Sequence, residues 1–256
     1  MTSVTGRVHL ALNGQVAQVI LSHPGKFNAM SRKMWRELKA VFLELQGRTD
    51  VRCVIVAGEG GHFCAGGDIA EYPDFRFDEA ALRGFHEDEV WGGLGAMLAC
   101  DLPLLAHIEG NCMGAGVEIA SCCDIRVAGS GARFGAPIAK LGFPMAPREA
   151  ELVAREAGVA TAREMLLEAA VFDATEMKAR GFLNTVLPDG TLTPAVLARA
   201  QRICALSPQA ARLNKQALRA TQGTTPVEAD GAYRYADSAE HREGIAAFVA
   251  KRPAVF

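Results

Sequence analysis

Three short apolar runs constrain this chain more than any other feature. Residues 51–57 (VRCVIVA) are β-branched and stop at Gly58, residues 104–108 (LLAHI) stop at Glu109-Gly110, and a third run covers residues 125–128. A strand with so few polar positions is covered on both faces, which a parallel sheet flanked by helices provides. The chain between the runs supplies the helices. Ser31 is placed to cap a segment in which Met34, Leu38, Val41, Phe42 and Leu45 recur at helical spacing. Ahead of it, residues 8–12 and 16–21 alternate about Asn13-Gly14, a pair suited to the positive φ of a hairpin turn. Beyond about Ala146 the strand signal fades. Segments 148–157, 160–168, 192–205, 208–221 and 226–250 read as helices separated by Pro and Gly. The expectation is an α/β core over residues 1–195 and a helical region over 196–256.

Bulk properties exclude several function classes. A net charge of -2 over 256 residues, with basic side chains dispersed, leaves no electrostatic footprint for nucleic acid. The first residues, MTSVTGRVHLALNGQ, lack the basic-then-apolar pattern of a secretory leader, and no apolar stretch nears the roughly 20 residues a bilayer demands. A cytoplasmic protein that meets neither membrane nor nucleic acid is expected. Seven cysteines, an odd number without CxxC spacing, read as reduced, buried, small hydrophobes. Cys64 and Cys112 lie beside glycine-rich segments but have no evident His partner. No cluster has metal-ligand spacing.

Two strand-to-glycine junctions hold the candidate chemistry. The first, Phe63-Cys64-Ala65-Gly66-Gly67-Asp68-Ile69, follows the 51–57 run. The second, Gly110-Asn111-Cys112-Met113-Gly114-Ala115-Gly116-Val117-Glu118, follows the 104–108 run and passes into a helix. Small residues at such turns let backbone N–H groups approach a ligand. One amide from each, aimed at a single point, would form an oxyanion hole. For either junction taken alone, a tight packing turn is the simpler reading. A dinucleotide-binding GxGxxG reading of residues 114–119 fails, because Gly114-Ala115-Gly116 is followed by Val117-Glu118-Ile119.

Four segments in order resemble signature blocks of the enoyl-CoA hydratase/isomerase (crotonase) superfamily. His23-Pro24-Gly25-Lys26-Phe27-Asn28-Ala29-Met30 is similar to its R-P-x-x-x-N-A-L block, and FCAGGDI to its F-x-A-G-A-D-[IL] block. EGNCMGAGVEIASCCDIRVA resembles N-G-x-x-x-G-G-G-x-E-L-A-x-x-C-D-[IL], and the tail HREGIAAFVAKRPAVF resembles R-E-G-x-x-A-F-x-E-K-R-x-P-x-F. The resemblance implies an α/β fold, a spiral of ββα units, with a helical C-terminal trimerisation region and homotrimers or homohexamers. It implies an acyl-CoA thioester as substrate, with coenzyme A entering as part of that substrate and no separate cofactor. Ala65 and Ala115 would supply the oxyanion-hole amides, and Glu118 the catalytic carboxylate. Gly66, Asp68, Ile69, Lys26 and Ile138 would line the substrate site. Phe248 and Lys251 match a C-terminal position that reaches a neighbouring subunit's ligand.

The chain departs from the family at the second carboxylate. The block F-G-x-P-E-x-x-L-G-x-x-P is matched by Phe134-Gly135-Ala136-Pro137-Ile138-Ala139-Lys140-Leu141-Gly142-Phe143-Pro144, with Ile138 in place of the glutamate. A positioned acid or base is worth about 10²–10⁴-fold, so ordinary hydration is in question. Three readings stay open. One carboxylate alone supports isomerisation or decarboxylation. Glu149 or Glu151 enters the site as a replacement, although helix-face solvation is the first reading of both. Or the chain is a weakly catalytic acyl-CoA binder.

Overall fold

The computed structural model describes residues 5–221 and 233–256. The chain opens with a hairpin, β1 (Arg7–Asn13) and β2 (Val16–Ser22), turning at Gly14 with φ 59°. In α1 (Arg32–Gln46) the Ser31 hydroxyl accepts the Met34 N–H at 3.2 Å, and Met34, Leu38, Phe42 and Leu45 are buried on one face. Next come β3 (Cys53–Gly58), a 3-10 turn at Ile69–Asp74, α2 (Glu79–Gly84), a π-helical turn at Phe85–Val90 and α3 (Trp91–Ala99). The centre of the chain is β4 (Leu104–Ile108), β5 (Asn111–Met113), α4 (Ala115–Ser121), β6 (Ile125–Gly129) and β7 (Arg133–Gly135). A second 3-10 turn, Pro137–Leu141, leads to α5 (Pro147–Ala157), α6 (Val159–Leu167), β8 (Val171–Asp173) and α7 (Ala174–Ala179). The remaining elements are β9 (Thr185–Leu187), α8 (Asp189–Cys204), α9 (Pro208–Thr221) and α10 (Ala239–Val249). Among the described residues no helix is long and apolar enough to cross a membrane.

The main sheet has the order β1-β2-β3-β4-β6-β9, parallel beyond the opening hairpin. After each central strand the chain steps across to a second stack. Cys64 bridges Cys112, β5 pairs with β7, and β7 pairs with β8. The repeated passage from long strand to short rung to helix is the spiral of ββα units that the resemblance implied. Strand periodicity explains the two-faced burial. Val54 and Val56 point into the main core with α1 and α3, while Cys53 and Ile55 point the other way. That second face is closed by Leu192, Val196, Ala200 and Cys204 of α8. A fully buried aliphatic side chain contributes about 1.5–3 kcal/mol, so neither face is incidental.

Two expectations change. The division after residue 195 passes through α8, because this helix covers the sheet instead of leaving it. Beyond Ala146 the second stack gains β8 and the main sheet gains β9, each three residues long and too short for periodicity to reveal. Of the helix expected over 226–250, the first seven residues lie outside the described ones; a 3-10 turn, Arg234–Asp237, precedes α10.

Candidate active site

The first junction is fixed from below by one side chain. Asn28 Nδ2 donates to the Glu59 and His62 carbonyls at 2.8 and 2.7 Å, and its Oδ1 accepts the His23 N–H at 3.0 Å. The chain then crosses to the second stack, where Cys64 N–H donates to Asn111 O and Met113 N–H donates to Cys64 O. Gly66 follows at φ 114°, a backbone state L side chains rarely adopt. The second junction lies directly on the first. A Cβ on Gly116 would stand 2.5 Å from the Cys64 carbonyl oxygen, so only glycine lets α4 start this close.

The free amides differ from the expectation. Ala115 is the first residue of α4, where an N–H has no intrahelical partner, and no acceptor is within reach among the described residues. Ala65 N–H, in contrast, donates to Phe27 O at 3.0 Å. At the first junction Gly66 N–H, which borders the cavity, and Gly67 N–H have no acceptor among the described residues. Sequence places two amides together; it does not tell which of two neighbours is already engaged.

Both junctions open onto a cavity of about 220 Å³. Ala65, Gly66, Ala115 and Glu118 line it with Ile69 and Ile138, and so do Tyr72, Arg76, His86 and Phe143. Glu118 is 9% exposed, and no group among the described residues hydrogen-bonds to its carboxyl. Burial, and then the charge of Glu149, push it up to about 8 from an ordinary 4.5. At neutral pH this carboxyl is therefore mostly protonated and can donate.

Glu149 corrects the reading of a solvated helix face. It is 2% exposed, while Glu151 is exposed. Leu152 and Val153, three and four residues on, are buried too, so Glu149 shares their inward face. That spacing was present in the sequence. Glu149 Oε1 lies 3.3 Å from His86 Nδ1, and its Oε2 finds no partner among the described residues. His86 Nε2 lies 3.5 Å from Arg76 Nη1. Arginine only donates, so Nε2 accepts and the ring proton on Nδ1 goes to Glu149. Glu149 itself does not line the cavity.

Of the residues singled out from sequence, Ala65, Gly66, Ile69, Ala115, Glu118 and Ile138 meet at the cavity. Lys26 and Asp68 do not line it; they pair with each other at 2.6 Å, and Asp68 also caps the 3-10 turn after the first junction. Phe248 and Lys251 also lie outside it, on and just after α10. Cys64 and Cys112 are fully buried, and burial pushes the Cys64 thiol up to about 12, which removes it as a nucleophile. Cys112 is likewise pushed up by burial. Tyr72, Arg76 and His86 were not foreseen, since they belong to segments without a recognisable motif; Phe143 falls on an unspecified position of the block that holds Ile138.

The enoyl-CoA hydratase/isomerase family model matches residues 11–256. A Mycobacterium bovis protein named as a probable enoyl-CoA hydratase is 31% identical over 247 residues, covering 94% of each chain. The crotonyl-CoA hydratase of Syntrophomonas wolfei is 30% identical over 248 residues, again covering 94% of each. A crystal structure titled enoyl-CoA hydratase/carnithine racemase, from Magnetospirillum magneticum, superposes with TM-score 0.94 at 35% identity, covering 99% of this chain and 96% of that one. Motif order, a spiral fold and relatives matching almost end to end agree: the chain belongs to the enoyl-CoA hydratase/isomerase family.

Proposed function

We propose that the cavity takes the acyl end of a coenzyme A thioester and adds water across a 2-enoyl double bond, with Glu118 as proton donor. One observation carries this reading: Glu118 opens onto the cavity beside the unengaged Ala115 amide, in a buried setting that favours its protonated form. The thioester oxygen accepts from Ala115 N–H and from Gly66 N–H. Water oxygen bonds to Cβ, the double-bond electrons move onto the thioester oxygen, and the resulting enolate takes the Glu118 proton at Cα. The proton released by water returns to the Glu118 carboxylate, which restores the acid. The hole acts on the enolate more than on the ground state, which is what lowers the barrier.

A second reading is double-bond isomerisation by Glu118 alone. It is favoured by the cavity lining, which includes Ile138 and not Glu149. The two differ in the form of Glu118 that starts the reaction. Hydration needs the acid and declines as pH rises through about 8; isomerisation needs the carboxylate and climbs through the same range. Matched 2-enoyl- and 3-enoyl-CoA thioesters incubated in D2O, with products read by mass spectrometry across pH 6–9, decide. Hydroxyacyl product with a falling limb supports hydration; migration of the double bond with a rising limb replaces it.

We also infer a homo-oligomer of trimers. Ile245, Phe248 and Val249 of α10 and Val255 beyond it are exposed apolar side chains, which a neighbouring subunit would cover. Phe248 and Lys251 would then meet coenzyme A bound next door, and Lys26 would serve its phosphates only by leaving Asp68. The free thiols fit a reducing compartment, here the cytoplasm.

A further inference from the structure

Arg76 is an anomaly in the cavity wall. Among the described residues no carboxylate lies within salt-bridge distance of it, although acidic side chains surround its segment. Asp74, two residues away, is exposed to solvent, and the other acidic neighbours are engaged elsewhere. Asp68 pairs with Lys26, Glu71 accepts the Arg32 N–H, Glu89 takes Arg32 and Arg36, Glu87 pairs with Arg148, and Asp78 caps α2. The Arg76 guanidinium is instead stacked 3.8 Å above the Phe143 ring and 4.6 Å from the Tyr72 ring. Burial works against its charge, holding it below the ordinary arginine range. A partly desolvated cation with no counterion is costly unless a ligand supplies one.

The guanidinium is also held in one orientation. Nη1 is directed to His86 Nε2, which Glu149 positions in turn through Nδ1. No acceptor among the described residues meets Nε or Nη2. Those two donors form the parallel edge that receives both oxygens of a carboxylate. Arg76 lines the same cavity as Ala65, Ala115 and Glu118. An anion bound at Arg76 and a thioester bound at the two junctions would therefore belong to one ligand. The phosphates of coenzyme A do not fit that description, because the whole pantetheine arm separates them from the thioester.

Resting on the acyl-thioester reading of the site, we propose that Arg76 determines specificity by receiving a carboxylate borne on the acyl chain, so that the favoured substrate is the coenzyme A thioester of a dicarboxylic acid. Aromatic faces around the guanidinium exclude water from the contact and fix its plane, and the His86–Glu149 pair keeps the carboxylate-binding edge open.

The test uses binding, so that it stands apart from turnover. Saturated acyl-CoA thioesters of matched length, one ending in methyl and one in carboxylate, are titrated calorimetrically into the protein together with free coenzyme A. The wild type is expected to bind the carboxylate-bearing thioester about 10- to 100-fold more tightly than its methyl partner, the worth of hydrogen bonds to a charged group. Arg76→Met should abolish that preference, and Arg76→Lys should keep only part of it. Affinity for the methyl-ended thioester reports whether the cavity survives each substitution. Equal affinities in the wild type, or a loss in Arg76→Met shared by both thioesters, overturns the proposal. Weakened binding of free coenzyme A would assign the arginine to phosphate instead. Should no thioester bind at all, the acyl-thioester reading falls and this inference with it; tight but undiscriminating binding sinks this inference alone.

Discussion

At the residue scale, Glu118 carries a cost that its proposed role as proton donor explains. It titrates near 4.5 when unfolded and near 8 when folded, so the native state binds more protons across that window. Stability then falls as pH rises from about 4.5 to 8 and is level beyond it. Each tenfold displacement is worth about 1.4 kcal/mol, which makes the full penalty on the order of 5 kcal/mol. Glu118→Gln should remove it. Denaturant unfolding at pH 5 and pH 8.5 should show a smaller loss in the variant than in the wild type, with turnover abolished in the variant at both. Equal pH slopes would mean the proton resides elsewhere. Motif matching found Glu118 from a single glutamate in a glycine-rich block. Glu149 was legible only through its phase with Leu152 and Val153, and the motif that should have held a second carboxylate drew attention to Ile138 instead. Arg76 and His86 were not legible, because their meaning comes from partners 67 and 63 residues away, Phe143 and Glu149.

At the scale of elements, α4 shows how little helix is required to present a reactive group. Its seven residues are all buried, and its start is set by Gly114 at φ 49° and by the contact of Gly116 with the Cys64 carbonyl. Proline suits the first position of a helix, where its missing N–H had no partner. Ala115→Pro should therefore fold with nearly wild-type circular dichroism and melting temperature while losing about 10²–10³-fold in kcat, the cost of one oxyanion donor. A folded Ala115→Pro enzyme with full kcat would exclude this amide from the hole. The long central strands were readable because two covered faces demand continuous apolar sequence. The rungs β5, β7 and β8 were not, since three residues make no period and their pairing is decided by where the spiral returns.

For the molecule as a whole, the apolar side chains left open on α10 bear on assembly. Sedimentation at micromolar concentration should give a trimer or a multiple of it, and Phe248→Glu should shift the population toward monomer. A wild-type monomer under those conditions would remove both the assembly and any shared coenzyme A contact. The spiral has a further consequence, for how such an enzyme changes over generations. The amides and Glu118 belong to two junctions and a helix start locked against one another, whereas Arg76 and Phe143 lie on segments that leave the spiral and come back. A lineage can redraft those excursions, in length or in charge, while the rungs stay in register. Substrate preference can thus drift freely in a framework whose reactive atoms are held still.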